Sequence, residues 1–308
     1  MRHTPIMPHS LGGRSSSRWH NVLMQPRACH HSDRPELRQV TLCAVDTRAP
    51  RLALTALRRS MDQVGFARVV LFTSQEGVRL ASQSGIEAIA IEPLCSGSDY
   101  SRWVVQDLPQ HIQTSHVLIS QWDGFVTNAK AWSDDFLSWD YIGAVWPDQP
   151  TSRNVGNGGF SLRSQSFLRA AQALKLQHFH PEDQVLCRDH RVALETQHNI
   201  RFAPPSVARL FAYENEKPRQ PTFGFHGPYN LPNALTESEL VLLLAQLPDE
   251  FFRSRDARRL ARALLLGRMP FAAKALLKRR SAAGKSGLHT RSLSAIATFM
   301  NLLKPRRL

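Results

Sequence analysis

The chain has 308 residues, with 39 Lys and Arg against 25 Asp and Glu, a formal charge of +14, and 42% hydrophobic residues. That apolar fraction is too high for a disordered chain, and 19 Pro and 16 Gly without a repeat exclude collagen-like or low-complexity architecture. The length suits roughly two domains of about 150 residues, or one larger α/β unit with additions. The charge is not spread evenly: residues 251–308 hold 15 Lys and Arg against a single acid, Asp256, whereas residues 39–250 hold 18 against 22.

Residues 1–38 mix His, Ser, Gly, Pro and Arg without hydrophobic periodicity and read as a disordered leader. They lack the continuous apolar core of a signal peptide, and Cys29-His30-His31 has no partner cluster that would make it a metal site. Val40–Val45 is an apolar run of buried-strand type, followed by Asp46-Thr47-Arg48. Leu52, Leu54, Ala56, Leu57, Met61 and Val64 then mark a helical face. Ala67–Phe72, Ile86–Ile91 and His116–Ser120 read as further strands, separated by a helix over Gln75–Ser82 and another capped at Ser98. This alternation predicts an α/β fold with a mostly parallel sheet flanked by helices. Ligands of such sheets gather at the carboxyl ends of the strands, where Asp46 and Asp123 stand. Tyr141–Trp146 is a further apolar segment, Asn157-Gly158-Gly159 a turn opening a strand, and Gln165–Leu174 and the stretch after Pro181 are helices.

The four cysteines are far apart, with no C-x-x-C pair, which fits a reducing cytosol. The longest aliphatic run, Leu240–Leu244, is far short of the about 20 residues needed to span a bilayer. Sequence templates for zincins, nucleoside deaminases, α/β-hydrolases and dinucleotide-binding loops are absent. Gly284-Lys285-Ser286 imitates the end of a phosphate-binding loop, but the first Gly of that motif falls at Arg279. What remains is a constellation of Gln121-Trp122-Asp123, Asn157-Gly158-Gly159, Glu182-Asp183 and His226. Asp, Glu and His from separate loops suit Mg²⁺ or Mn²⁺ beside a phosphorylated substrate. Each element also has an ordinary structural reading. Asp123 and the glycines suit turns, Gly tolerating positive φ; Glu182 and Asp183 suit the first turn of a helix.

The ordered motifs go further. Asp99-Tyr100-Ser101, His116–Val126, Phe136–Trp146, Val155–Ser164, Pro181-Glu182-Asp183 and Phe223–Gly227 together resemble a family of domains of unknown function described as glycosyltransferase-like, over roughly residues 40–230. The resemblance implies a GT-A-like fold, with a nucleotide-binding half and an acceptor half over residues 39–235 and a basic helical appendix over 236–308. It implies transfer of a sugar from a nucleotide-sugar to a glycan or glycolipid acceptor, assisted by Mn²⁺ or Mg²⁺. Gln121 stands where such folds carry the first acid of a D-x-D pair, leaving Asp123 as chief metal ligand, with His226 as the second. Asp46, Arg48, Gln121, Asp123, Gly158 and Gly159 are placed to meet the donor, the glycines by letting a sugar approach without a Cβ in the way. Asp183 or Glu182 is the expected general base toward the acceptor hydroxyl.

Two other classes remain open: a degenerate domain that binds a nucleotide-sugar or glycan without transferring it, and a protein acting through its basic tail. Arg255, Arg258, Arg259 and Arg262 share one helix face opposite Ala257, Leu260, Ala261, Leu264 and Leu265. That is the pattern of an interfacial helix at an anionic membrane, or of a helix packed on its own domain with its arginines in water. The expected location is cytoplasmic, with a peripheral membrane position as the variant. With little aromatic interleaving beyond Phe271 and Phe299, the tail does not suit nucleic acid.

Overall fold

The computed structural model describes residues 34–303. Cys29-His30-His31 and nearly all of the expected leader lie outside the described residues. Strand β1 (Glu36–Val45) begins within that leader, ahead of its apolar run. Glu36 pairs with Gly65, Leu37 is buried, and Arg34 donates to the Met61 carbonyl, so neighbours extend the strand where periodicity ends. Then follow α1 (Pro50–Gln63), β2 (Gly65–Thr73), α2 (Gln75–Ser82), β3 (Glu87–Ala90) and α3 (Gly97–Gln106). The cap of α3 is Ser96 rather than Ser98. Its hydroxyl accepts from Asp99 N–H while the Asp99 carboxylate accepts from Ser96 N–H, a reciprocal box that leaves Ser98 inside the first turn.

The middle of the chain supplies β4 (His116–Ser120), β5 (Tyr141–Ile142), β6 (Phe160–Ser164), α4 (Gln165–Ala173), α5 (Glu182–Gln184), α6 (Arg191–His198), α7 (Pro205–Phe211), β7 (Ala212–Tyr213) and β8 (Gly224–Phe225). Six strands form one sheet in the order β3-β2-β1-β4-β6-β5, and β7 pairs with β8 in a small second sheet. The β3-β2-β1-β4 part is parallel, whereas β6 runs antiparallel to both its neighbours. Successive residues of the central strands feed two cores. Leu42, Ala44 and Leu118 pack with Ala53, Leu54 and Leu57 of α1 on one face. Cys43, Val45, Val117 and Ile119 pack with Val104 of α3 and Phe167 of α4 on the other. Burial on both faces explains why these strands read as unbroken apolar runs.

The strand order reverses between β1 and β4, because the chain moves outward through β2 and β3 and then returns beside β1. In an open α/β sheet this switch point leaves a crevice at the carboxyl ends of the two strands. Ser120 pairs with Phe160, so the turn that opens antiparallel β6 lands at the same end. Asp46, Gln121–Asp123 and Asn157–Gly159 are thereby brought to one edge.

Five more helices follow: α8 (Glu237–Gln246), α9 (Asp249–Arg253), α10 (Arg255–Leu266), α11 (Pro270–Ala282) and α12 (Leu288–Leu303). They share a third core with the domain: Leu240, Leu260, Leu264 and Leu276 pack with Leu52 of α1, Phe125 after β4, and Phe225 of β8. An ion pair of 2.7 Å between Arg59 and Glu239 joins α1 to α8. The apolar side of α10 (Ala257, Leu260, Ala261, Leu264) is fully buried, while Arg255, Arg258, Arg259 and Arg262 are exposed. The interfacial-helix expectation is corrected on this point, because that apolar face is already covered by protein. Among the described residues no helix is long and apolar enough to cross a membrane.

Candidate active site

Two clusters of titratable groups meet at Asn157-Gly158-Gly159. The first surrounds His226, which follows β8. Its Nε2 lies 3.4 Å from Asp123 Oδ1 and 3.3 Å from Gln121 Oε1. Its Nδ1 lies 3.3 Å from Glu214 Oε1 and 3.1 Å from Asn157 Nδ2. Burial works against a charged imidazole here, but the carboxylates of Asp123 and Glu214 outweigh it and raise the His226 pKa well above the usual 6.5. Burial likewise opposes charge on Glu214, and the hydrogen bond and charge of His226 overcome it, holding the acid below its usual value. The small β7–β8 sheet is what presents Glu214 and His226 side by side, since Tyr213 pairs with Phe225 immediately before them.

The second cluster surrounds Gly158. Asp183 Oδ2 accepts from Gly158 N–H at 3.0 Å. Burial first, and the neighbouring Glu182 charge second, push the Asp183 pKa up to about 6. Glu182 is differently engaged: its Oε1 pairs at 2.9 Å with Arg163 Nη2, and the two side chains are only 7% and 1% exposed. Arg163 is a strand residue of β6 pointing into the interior, where it also contacts the Gly158 carbonyl, Ser161 Oγ and the face of Tyr141. A buried guanidinium needs such a set of partners, and Glu182 supplies its counter-charge. The two adjacent acids are thus separated in role: Glu182 neutralises Arg163, and Asp183 is the one with an elevated proton affinity.

The glycines act by close approach rather than by torsion. The positive φ of 68° belongs to Asn157, whereas Gly158 and Gly159 keep ordinary backbone angles. A Cβ on Gly158 would run into the Glu182 carboxylate, and one on Gly159 into the His226 ring. Both faces are filled by protein side chains, so these glycines bring the two clusters together instead of clearing space for a sugar. Gln121 is tied to the same turn, its N–H donating to the Gly159 carbonyl at 2.7 Å.

Asp46 and Arg48 also reach the carboxyl edge. However, Asp46 Oδ1 accepts from the N–H groups of Arg48 and Ala49, an Asx turn leading into α1. Burial raises the Asp46 pKa against these two bonds. Among the described residues, neither Asp46 nor the exposed Arg48 side chain is hydrogen-bonded or ion-paired to the His226 cluster. Trp122 packs edge-on against Phe251 of α9, and Trp146 against Gly156, both as packing residues.

Among the described residues no group of three or more His, Cys, Asp or Glu side chains is arranged to hold a metal ion. Two donors are nevertheless present in Asp123 and His226, and Asp123 Oδ1 is buried without a hydrogen-bond partner of its own. A carboxylate oxygen so placed fits a hard divalent ion that takes its other ligands from a diphosphate and water. Glu214 also borders a hollow of about 560 Å³ that Arg209, Tyr213, Lys217 and Arg219 help to line. On the far side, Arg259 of α10 donates to Asn215 and stacks 3.3 Å from the Tyr229 ring, so the C-terminal helices form part of the surroundings of this site.

Sequence reasoning missed Glu214 and Arg163. Glu214 sits in a polar stretch without a pattern, but an arginine in the middle of the apolar strand Phe160–Ser164 was a readable sign of a buried counter-ion.

Residues 85–226 match the model of a family described as "Protein of unknown function (DUF5672)". No curated protein matches the chain. Among solved structures, it is similar to a mannosyltransferase from Pyrobaculum calidifontis in complex with GDP-Man and Mn²⁺, at 14% identity and a TM-score of 0.37, covering 89% of this chain and 84% of that one. It is also similar to the galactosyltransferase LgtC in complex with donor and acceptor sugar analogs, at 14% identity and a TM-score of 0.38, covering 61% of this chain and 86% of that one. The family of unknown function that the ordered motifs resemble is the one whose model residues 85–226 match.

Proposed function

We propose that the protein is a glycosyltransferase that takes a sugar from a nucleotide-sugar and delivers it to a hydroxyl of a glycan or glycolipid. The observation that carries this reading is the convergence of the Asp123–His226–Glu214 cluster and buried Asp183 on Asn157–Gly159, at the switch-point end of the sheet. In this reading Asp123 and His226 hold Mn²⁺ or Mg²⁺, which neutralises charge on the departing diphosphate. A metal at His226 takes the nitrogen lone pair in place of the proton. Glu214 orients the His226 ring through Nδ1, the usual service of a carboxylate behind a ligating imidazole. Gln121, in place of a first acid, offers only an amide oxygen from the donor side.

Asp183 takes the proton of the attacking hydroxyl. Its pKa of about 6 leaves it ionised at neutral pH yet more basic than an exposed carboxylate. The hydrogen bond from Gly158 N–H fixes one carboxylate oxygen and orients the group. Glu182, neutralised by Arg163, holds the turn rather than the proton.

The test is a nucleotide-sugar screen by calorimetry on the full chain, with and without Mn²⁺, followed by product analysis of any donor that binds. Binding by the wild type that Asp123→Ala loses, with turnover that Asp183→Asn loses, is the expected result. Absence of binding to every nucleotide and nucleotide-sugar sinks the reading. Gln121 at the first-acid place favours one second reading, a binding protein without transfer; it gains if donors bind and neither transfer nor hydrolysis is detected.

A further inference from the structure

Away from the His226 cluster, where α9, α10 and the end of α11 meet, lies a hollow of about 400 Å³ lined by Arg253, Ser254, Arg255, Arg258, Arg280 and Lys285. Five of its six lining residues are cations and none is an acid. The nearby acids are occupied elsewhere: Asp249 pairs with Arg279 at 2.7 Å, and Asp256 faces Arg259 at 3.8 Å. Among the described residues none of the five lining cations has an ion-pair partner.

Arg280 is the centre of this arrangement. It is only 8% exposed, and its Nη1 donates to the carbonyls of Phe252 and Ser254 at 2.6 and 3.0 Å. Its Nε is buried and has no partner. Burial and the adjacent Arg258 both lower its pKa. The positive field reaches α12, where burial and then Arg262, Arg258 and Arg280 lower the pKa of His289. Arg255 and Arg258 occupy the first turns of α10, where the helix dipole already favours negative charge. Every local term therefore disfavours this cluster unless an anion joins it. A buried, unpaired guanidinium beside other cations costs free energy in the free protein and returns it on binding.

We propose that this hollow is a second ligand site, one that binds the phosphate group of a phosphorylated molecule. Arginine forks match phosphate oxygens in two-point hydrogen bonds, Lys285 adds a point charge, and the first turn of α10 adds backbone N–H groups. The volume exceeds that of one phosphate, which leaves room for the group esterified to it. The site is separate from the proposed donor site: on α10, Asp256 and Arg259 belong to the surroundings of Glu214 and Asn215, whereas Arg255 and Arg258 line the hollow. The proposal does not depend on the transferase reading. A phosphorylated soluble molecule and a phospholipid headgroup carry the same chemistry, and the experiment distinguishes them.

The full chain is titrated calorimetrically with inorganic pyrophosphate in EDTA, and separately floated with phosphatidylcholine vesicles with and without phosphatidic acid. Arg258→Glu is the disrupting variant and Lys285→Gln the mild one, since the lysine side chain makes no hydrogen bond that holds the fold. Arg268→Glu, exposed and outside the hollow, matches the charge change, and Asp123→Ala removes the donor site. Arg258→Glu is expected to weaken binding at least about tenfold and Lys285→Gln by about two- to fivefold, with Arg268→Glu and Asp123→Ala near wild type. Pyrophosphate binding without flotation assigns a soluble ligand; flotation that requires phosphatidic acid and Arg258 assigns a lipid. The proposal is overturned if neither probe binds, if Arg268→Glu weakens binding as much as Arg258→Glu, or if only Asp123→Ala abolishes it.

Discussion

The sheet domain and the C-terminal helices are opposites in charge and partners in packing. Residues 39–250 hold 18 bases against 22 acids, and residues 251–308 hold 15 against one. The domain uses its acids in groups, around His226 and around Gly158, while the helices expose arginines in rows. Nevertheless Leu260 and Leu264 are buried in the same core as Phe125 and Phe225, the apolar neighbours of Asp123 and His226. Charge therefore divides this chain where packing does not. The helices act on the site from behind, through the core and through Arg259, while their outer face is free to meet anions.

The sharpest way to break the comparison is at the acids. Asp183→Asn should lower transfer by about 10²- to 10⁴-fold, the usual worth of a positioned base, while leaving donor affinity near wild type in calorimetry. The same residue predicts a pH signature. Activity of the wild type should rise with pH through about 6 as Asp183 ionises. Stability should move the other way. The folded state holds this proton more tightly than the unfolded chain, so the contribution is full below about 3.8 and is lost as pH rises through about 6. Melting curves of Asp183→Asn should lack this component, closing on the wild type or passing it as pH increases from 4 to 7, which checks the sign.

Next in size is the buried pair. Arg163→Met leaves Glu182 charged and unpaired, and Glu182→Gln leaves Arg163 so; either should cost about 3–5 kcal/mol in urea unfolding. The double variant should recover part of the loss, and simple additivity would show that the pair does not act as a unit. On the helical side, Leu264→Ala should cost about 2–5 kcal/mol if the C-terminal helices are integral to the fold. It should also reduce donor binding, because the same core supports Phe125 and Phe225. The smallest effect is expected at the outer face: Arg262→Gln should alter unfolding by no more than about 0.5 kcal/mol. A larger loss there would mean that the basic face contributes to the fold.

Much of the frame was legible in the residues. His116–Ser120 is a strand with the expected ends, and Gln75–Ser82 is the expected helix, because an unbroken apolar run and a capped amphipathic turn are local signals. Asp123 and His226 were nameable, and the structure sets them 3.4 Å apart. Glu214 was not, since its role comes from β7 pairing with β8 and no local pattern encodes that. Glu182 and Asp183 show the same limit. As neighbours with like side chains they are equivalent in sequence, and only Arg163 on one and Gly158 N–H on the other divides them.

Composition and periodicity by themselves determined the α/β alternation, the edge where ligands gather and the location of the basic excess. All three follow from side-chain spacing along a single strand or helix. Tertiary structure alone decided which carboxylate keeps a raised proton affinity, what fills the space beside Gly158 and Gly159, and which face of α10 is hidden. It also decided that Arg280 stands buried among other cations. Those outcomes depend on burial and on charges brought close by distant segments, and neither quantity exists until the chain has folded.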